Sequence, residues 1–261
     1  MQVTGAVPLH AEVDHALGGR WISLRTARRE WLWHRADPAR SGVMPGDPFV
    51  DAGGLEECVP TVRGTPDHGD AWSRPWHESG VDCPDFTLRR TIGAQDGAVV
   101  ADYELTAEPG YRFVWAAHAL LDVGPAARLV APAGTPVLIT DPAPVLREWP
   151  AGLASLGPDD GSAVGAILEH GRILVVDGDH QLGLRVECAD QPVSVALWRN
   201  LCGWPEEAPY RSIGVEPMLG RTFDRHDRTR PVAVVPAGGT VRWRMTLTAF
   251  ACPPEHVPAV G

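Results

Sequence analysis

In residues 51–76, DAGGLEECVPTVRGTPDHGDAWSRPW, two adjacent carboxylates (Glu56, Glu57), the run Asp67-His68-Gly69-Asp70 and the group Trp72, Arg74 and Trp76 stand close together. The glycines and prolines among them argue against a long helix or a central strand. An indole offers a flat apolar face, while carboxylates, an imidazole and a guanidinium offer acceptors and donors. Together they suit a polyhydroxylated ring, whose C–H face stacks while its hydroxyls bond. A second reading fits the same residues: Asp and Gly favour turns, and tryptophans often fill cores. Other segments must decide.

Two further positions carry groups capable of proton transfer. His118 lies in the apolar segment 111–123, YRFVWAAHALLDV, and Glu216 lies in Gly214-Val215-Glu216-Pro217. Opening a cyclic hemiacetal requires one proton taken from the anomeric hydroxyl and another delivered to the ring oxygen. A carboxylate and an imidazole on opposite sides of the hemiacetal suffice, with no cofactor. Unperturbed pKa values of about 4.3 and 6.5 let one act as base while the other stays protonated near neutrality after modest tuning. In isolation, His118 reads as easily as a core histidine, and Glu216 as a strand-end surface carboxylate.

The elements that must position these groups read as β structure. Residues 86–92 and 98–107 flank the turn signal Gln95-Asp96-Gly97, and Val99, Ala101, Tyr103 and Leu105 share one side. RILVVD and HQLGLRVEC flank Asp177-Gly178-Asp179 in the same way, and PVSVALWRN follows with its own alternation. In TVRWRMTLTAF, Val241, Trp243, Met245, Leu247 and Ala249 face one way and Arg242, Arg244, Thr246 and Thr248 the other. Residues 20–34 suggest a hairpin or two adjacent strands. Residues 111–123 suit either a helix or a strand buried on both faces, and strand is the reading taken here. Many short strands and frequent turns predict an all-β, antiparallel sandwich or barrel, with residues 1–261 as one domain.

Composition narrows the partners. The chain has 261 residues and a formal charge of −10, from 23 basic and 33 acidic residues. No basic block supplies the phosphate-neutralising footprint of a nucleic-acid binder. Lysine is absent, which excludes Schiff-base chemistry and a lysine base. Five widely spaced cysteines without a C-x-x-C pair disfavour a disulfide framework or zinc knuckle. The N-terminal stretch lacks a basic region followed by an apolar one, and no run approaches the roughly 18 apolar residues of a membrane span. The expectation is a soluble, cytoplasmic protein with neither membrane nor nucleic-acid partners. The sequence carries no signal for oligomeric state.

The three segments holding His68, His118 and Glu216 together resemble the galactose mutarotase-like superfamily, the aldose 1-epimerases and hexose-6-phosphate epimerases. The N-terminal part is similar too, with Gly18-Gly19-Arg20 leading into a strand and Glu30-Trp31-Leu32-Trp33 following. The order of signals extends over residues 18–250. Asp67-His68-Gly69 resembles the family's first histidine motif. His118, in Trp115-Ala116-Ala117-His118, looks like the second histidine, which in the family protonates the ring oxygen. Gly214-Val215-Glu216-Pro217 is similar to the motif bearing the catalytic glutamate.

The resemblance implies a β-supersandwich, Glu216 as base on the anomeric hydroxyl, His118 as acid on the ring oxygen, and His68 assisting with Asp67 fixing its tautomer. Glu57, Asp67, Trp72, Arg74 and Trp198 are the expected substrate contacts, and Glu56 is expected to point away from Glu57 if the segment is extended. Arg74 reads equally as a surface ion pair, and Trp72 and Trp198 as core. The family's substrate-binding aspartate has no single counterpart: Asp177 and Asp179 sit in a turn, and Asp141 precedes a proline. Arg63 and Arg74 both answer to the family's N-terminal arginine.

The expected function is therefore a cofactor-independent aldose 1-epimerase acting on a small-molecule sugar, with no metal. Two other classes stay open. One is a non-catalytic carbohydrate-binding protein; the other is a specialised isomerase, lyase or cyclase using the same Glu/His pair on another metabolite. A metal site drawn from His10, His15, His68, His77 and His118 lacks ligand spacing.

Overall fold

Period-two alternation sets the architecture. In Thr240–Ala251 the side chains of Val241, Trp243, Met245, Leu247 and Ala249 are all buried, and Arg242 and Arg244 between them face outward. This strand runs between Ala98–Ala107 and His180–Glu187 in an eight-stranded sheet. Both predicted hairpins build that sheet. Phe86–Gln95 pairs with Ala98–Ala107 across Asp96 and Gly97, whose φ values of 50° and 83° are those a type I′ turn requires. Arg172–Asp177 pairs with His180–Glu187 across Gly178 and Asp179.

The computed structural model describes residues 5–77 and 79–251, and every ladder between its strands is antiparallel. A second, nine-stranded sheet runs in the order Val145–Glu148, Pro136–Ile139, Ser162–Leu168, Val193–Leu201, Arg211–Leu219, Trp115–Leu121, Leu55–Cys58, Arg20–Arg25 and His10–Asp14. The two sheets enclose one apolar cluster. Leu88, Leu105, Trp243 and Met245 come from the first sheet, and Leu55, Trp115, Val195 and Val215 from the second. The architecture is an antiparallel β-sandwich. Among the described residues the only helical element is the 3₁₀ turn Pro38–Gly42, and no helix is long and apolar enough to cross a membrane.

The ambiguous segment 111–123 is strand, as Arg112–Phe113 and Trp115–Leu121. Burial on both faces explains its continuous apolar run: Trp115 and Ala117 enter the inter-sheet cluster, while Ala116 joins a second cluster with Cys58, Ile167, Ala196 and Met218 on the outer face of the nine-stranded sheet. Residues 30–34 differ from expectation. Glu30 Oε1 accepts the backbone N–H groups of Leu24 (2.9 Å), Trp31 (3.0 Å) and Leu32 (2.9 Å), and Oε2 accepts from Ser23 Oγ (2.6 Å). A carboxylate that takes donors a regular ladder would use leaves this stretch joined to its neighbours by isolated bridges.

Candidate active site

Strand register brings the acid/base candidates together. Contrary to the expectation from the glycines and prolines of residues 51–76, Leu55–Cys58 is an interior strand of the nine-stranded sheet, because its four residues, between Gly54 and Pro60, contain neither type. Glu56, His118 and Glu216 stand on three neighbouring strands, and pairing sets Glu56 opposite His118. On the other side of His118 the ladder forms at Gly214↔Leu120 and Met218↔Ala116 and is interrupted at residues 215–217, where Pro217 has no N–H to offer. At that interruption His118 Nε2 and Glu216 Oε1 are 3.9 Å apart. No ring fits between them. The two groups stand side by side on one wall of the site rather than on opposite sides of a ring, as the sequence had suggested.

Both open onto a cavity of about 360 Å³, within the roughly 300–1,000 Å³ span of small-molecule sites. Five of the residues picked out from the sequence line it: Glu216, His118, His68, Asp67 and Trp198. Glu216 is an interior strand residue, not a strand-end one, and it is only 4% exposed. Its carboxylate lies back over Gly214, where a Cβ would come within 2.5 Å of Oε1 and 3.0 Å of Trp198 Cβ. Among the described residues no side chain or backbone group hydrogen-bonds to it within normal distance, and His118 Nε2 is the one basic-side-chain nitrogen within 4.0 Å of it. Burial raises its pKa above the ordinary carboxylate value, with His118 and Arg63 pulling partly the other way.

Glu56 provides the contrast. Two guanidinium nitrogens of Arg40 grip its carboxylate, each at 2.9 Å, and Arg20 Nε lies 3.4 Å away. It is fully committed, so Glu216 is the carboxylate of this row with free acceptor capacity.

His68 is held from three directions. Its backbone adopts a left-handed φ of 57°, which outside glycine is uncommon and is met mostly at asparagine, aspartate and histidine, and its N–H donates to Val62 O at 3.0 Å. Nδ1 is 2.8 Å from Asp67 Oδ2, which places the ring proton on Nδ1 and leaves Nε2 as an acceptor. The Phe49 ring stacks on the imidazole at 3.7 Å and 8°, and also meets His118 edge-on at 5.4 Å. Burial lowers the His68 pKa below the usual imidazole value; Asp67 opposes this shift and nearby His118 adds to it.

Three expected contacts lie elsewhere. Glu57 points into the core between the sheets, opposite in direction to Glu56, and is saturated there by Arg90 Nη1 (2.5 Å), Tyr103 OH (2.9 Å) and Trp115 Nε1 (2.7 Å). Strand alternation was right that the pair faces opposite ways, but neither carboxylate lines the cavity: Glu56 is turned to Arg40 and Glu57 to Arg90. Trp72 is buried behind the cavity, with Phe49 edge-on at 4.9 Å and the Arg40 guanidinium 5.3 Å from its ring. Arg74 faces Asp70 at 3.8 Å and does not reach the cavity.

The cavity also holds residues the sequence reading set aside. Asp141 lines it, its Oδ2 accepting from Thr140 Oγ1 at 3.1 Å, so the proline after it did not keep it from the site. Of the two arginines weighed, Arg63 is the one that lines the cavity, its guanidinium 5.9 Å from the Trp198 ring. Phe49, and the Tyr210–Asp51 pair bonded at 2.5 Å, carried no motif that singled them out. Among the described residues no group of three or more His, Cys, Asp or Glu side chains is placed to hold a metal ion.

Sequence comparison is silent: no family model and no curated protein matches the chain. Structural comparison is not. A galactose mutarotase-like protein from Lactobacillus casei superposes with a TM-score of 0.60 at 16% identity, covering 93% of this chain and 97% of its own. The chain has the galactose mutarotase-like fold. A protein from Escherichia coli K12, provisionally named an aldose 1-epimerase, gives a TM-score of 0.66 at 13% identity over 95% of this chain and 99% of its own. The Slr1438 protein of Synechocystis reaches 0.71 at 13% identity over 96% and 99%. Most structural neighbours of the chain carry mutarotase-like or aldose 1-epimerase names, and at these identities the likeness is one of fold.

Proposed function

We propose that the chain is a cofactor-independent aldose 1-epimerase. The observation that carries this reading is the pairing of a buried, otherwise uncommitted Glu216 with His118 at 3.9 Å on the wall of a cavity of small-molecule size. Glu216 takes the proton of the anomeric hydroxyl as His118 delivers one to the ring oxygen; the bond from C1 to the ring oxygen breaks and a carbonyl forms at C1. Rotation about C1–C2 presents the other face. Ring closure then returns each proton to the group that gave it up. Nε2 of His68 accepts from a substrate hydroxyl, Asp141 and Asp67 do the same from the cavity wall, and Trp198 offers an apolar face. The likeness in fold to mutarotase-named proteins supports this assignment of the site.

Exchange of freshly dissolved α-anomers, followed by polarimetry or NMR, tests it. Wild type accelerates exchange, and Glu216→Gln loses about 10²- to 10⁴-fold, the usual worth of a positioned acid or base. Equal rates from both proteins remove the assignment. Saturable sugar binding without exchange by wild type makes the chain a carbohydrate-binding protein instead.

A further inference from the structure

The cavity runs from Glu216, 4% exposed, to Trp204, 52% exposed. Among the described residues Trp204 is the only aromatic side chain that is both large and exposed. A lone exposed indole needs no explanation by itself. This one is held with unusual care.

Asn200, completely buried, devotes its side chain to the loop that carries Trp204. Its Oδ1 accepts the N–H groups of Gly203 (2.9 Å) and Trp204 (3.0 Å), and its Nδ2 donates to the carbonyls of Trp204 (2.7 Å) and Tyr210 (2.8 Å). Gly203 lies so close to the Ser162–Leu168 strand that a Cβ would meet the Ser162 carbonyl carbon at 2.4 Å. The Trp198 ring backs the indole edge-on at 6.3 Å. A rigid platform loses little entropy when a ligand lands on it.

The reacting carbon of a bound sugar must face Glu216 and His118 at the closed end. Any group linked to a hydroxyl remote from that carbon leaves through the mouth, across Trp204. Polar partners for a second ring stand there as well: Asp37, and Arg35, whose guanidinium lies 4.7 Å from the Tyr210 ring and has no carboxylate within 4.0 Å among the described residues.

We propose that Trp204 is the floor of a second sugar subsite, so that the substrate is the reducing-end ring of a saccharide of two or more units. The inference rests on the anomer-exchange reading of the site and specifies its substrate class.

Calorimetric or fluorescence titration of wild type, Trp204→Ala and Trp204→Phe with glucose, galactose, maltose, cellobiose and lactose tests it without requiring turnover. Wild type binds at least one disaccharide about tenfold more tightly than either monosaccharide, a difference of about 1.4 kcal/mol. Trp204→Ala erases that advantage, and Trp204→Phe keeps most of it. Equal affinities for one ring and two, an advantage that survives Trp204→Ala, or no saturable binding of any of the five sugars overturns the subsite. A dimer that dissociates in Trp204→Ala with an unchanged sugar ratio reassigns the indole to a contact between copies. Anomer exchange measured alongside separates the two readings. Exchange of glucose without a disaccharide advantage sinks the subsite alone, whereas a disaccharide advantage without exchange sinks only the catalytic reading.

Discussion

Gly214 and Glu216 project from the same face of one strand, and the Glu216 carboxylate occupies the space a side chain at position 214 would need, with Oε1 2.5 Å from where its Cβ would sit. The glycine of the Gly-Val-Glu-Pro motif is thus explained by volume. Gly214→Ala must push either the carboxylate or Trp198 aside. Overpacking of this kind costs about 1–3 kcal/mol in stability, and displacement of the proposed base is expected to lower kcat about 10²-fold. Thermal melts and anomer-exchange rates on the purified variant check both, and an unchanged kcat would show that Glu216 tolerates being moved.

Burial gives Glu216 a higher proton affinity in the folded chain than in the unfolded one. Such a group contributes most to stability below its unfolded pKa, near 4.5, and that contribution is lost as pH rises through the folded value. Glu216→Gln is therefore expected to melt at a higher temperature than wild type at pH 7, with a smaller gap at pH 4. With Glu216 as the proposed base, the acid limb of kcat/KM is expected to have its midpoint above 4.5, since a base must be ionised to act. Tm differences at the two pH values, and a pH–rate profile, measure these outcomes. A midpoint at or below 4.5 contradicts the environment described for Glu216.

The Asp67–His68 hydrogen bond yields a third expectation. Burial already lowers the His68 pKa below 6.5, and Asp67 is what opposes the shift. In Asp67→Asn the NMR titration midpoint of His68 falls further. A rise would mean that the carboxylate does not stabilise the imidazolium.

Glu57 is a structural carboxylate, paired with Arg90 while both are almost without solvent contact. Removing one member of a buried ion pair strands the other and costs about 3–5 kcal/mol. Glu57→Gln is expected to lower Tm by on the order of 10 °C while leaving sugar affinity per folded molecule unchanged. A weaker affinity at unchanged Tm would return Glu57 to the binding site.

Alternation of side chains along a strand is a local property, and it was enough to read the β class, both hairpins and the inward face of Thr240–Ala251 from the residues alone. It also told Glu56 and Glu57 apart as neighbours facing opposite ways. Resemblance of three short motifs to the mutarotase-like family marked Asp67, His68, His118 and Glu216, and all four line the cavity. Neither signal could say that both adjacent carboxylates are taken by arginines and that neither lines the cavity. That depends on the side of the nine-stranded sheet to which the eight-stranded sheet docks, and this docking buries Glu57 against Arg90 and turns Glu56 toward Arg40. Register across strands 60 to 160 residues apart likewise sets His118 between Glu56 and Glu216, and folding brings Asp141, Arg63, Tyr210 and Trp204 to the same cavity. Pairings between segments so distant in sequence are fixed by the packing of whole sheets, a constraint that no window of residues contains.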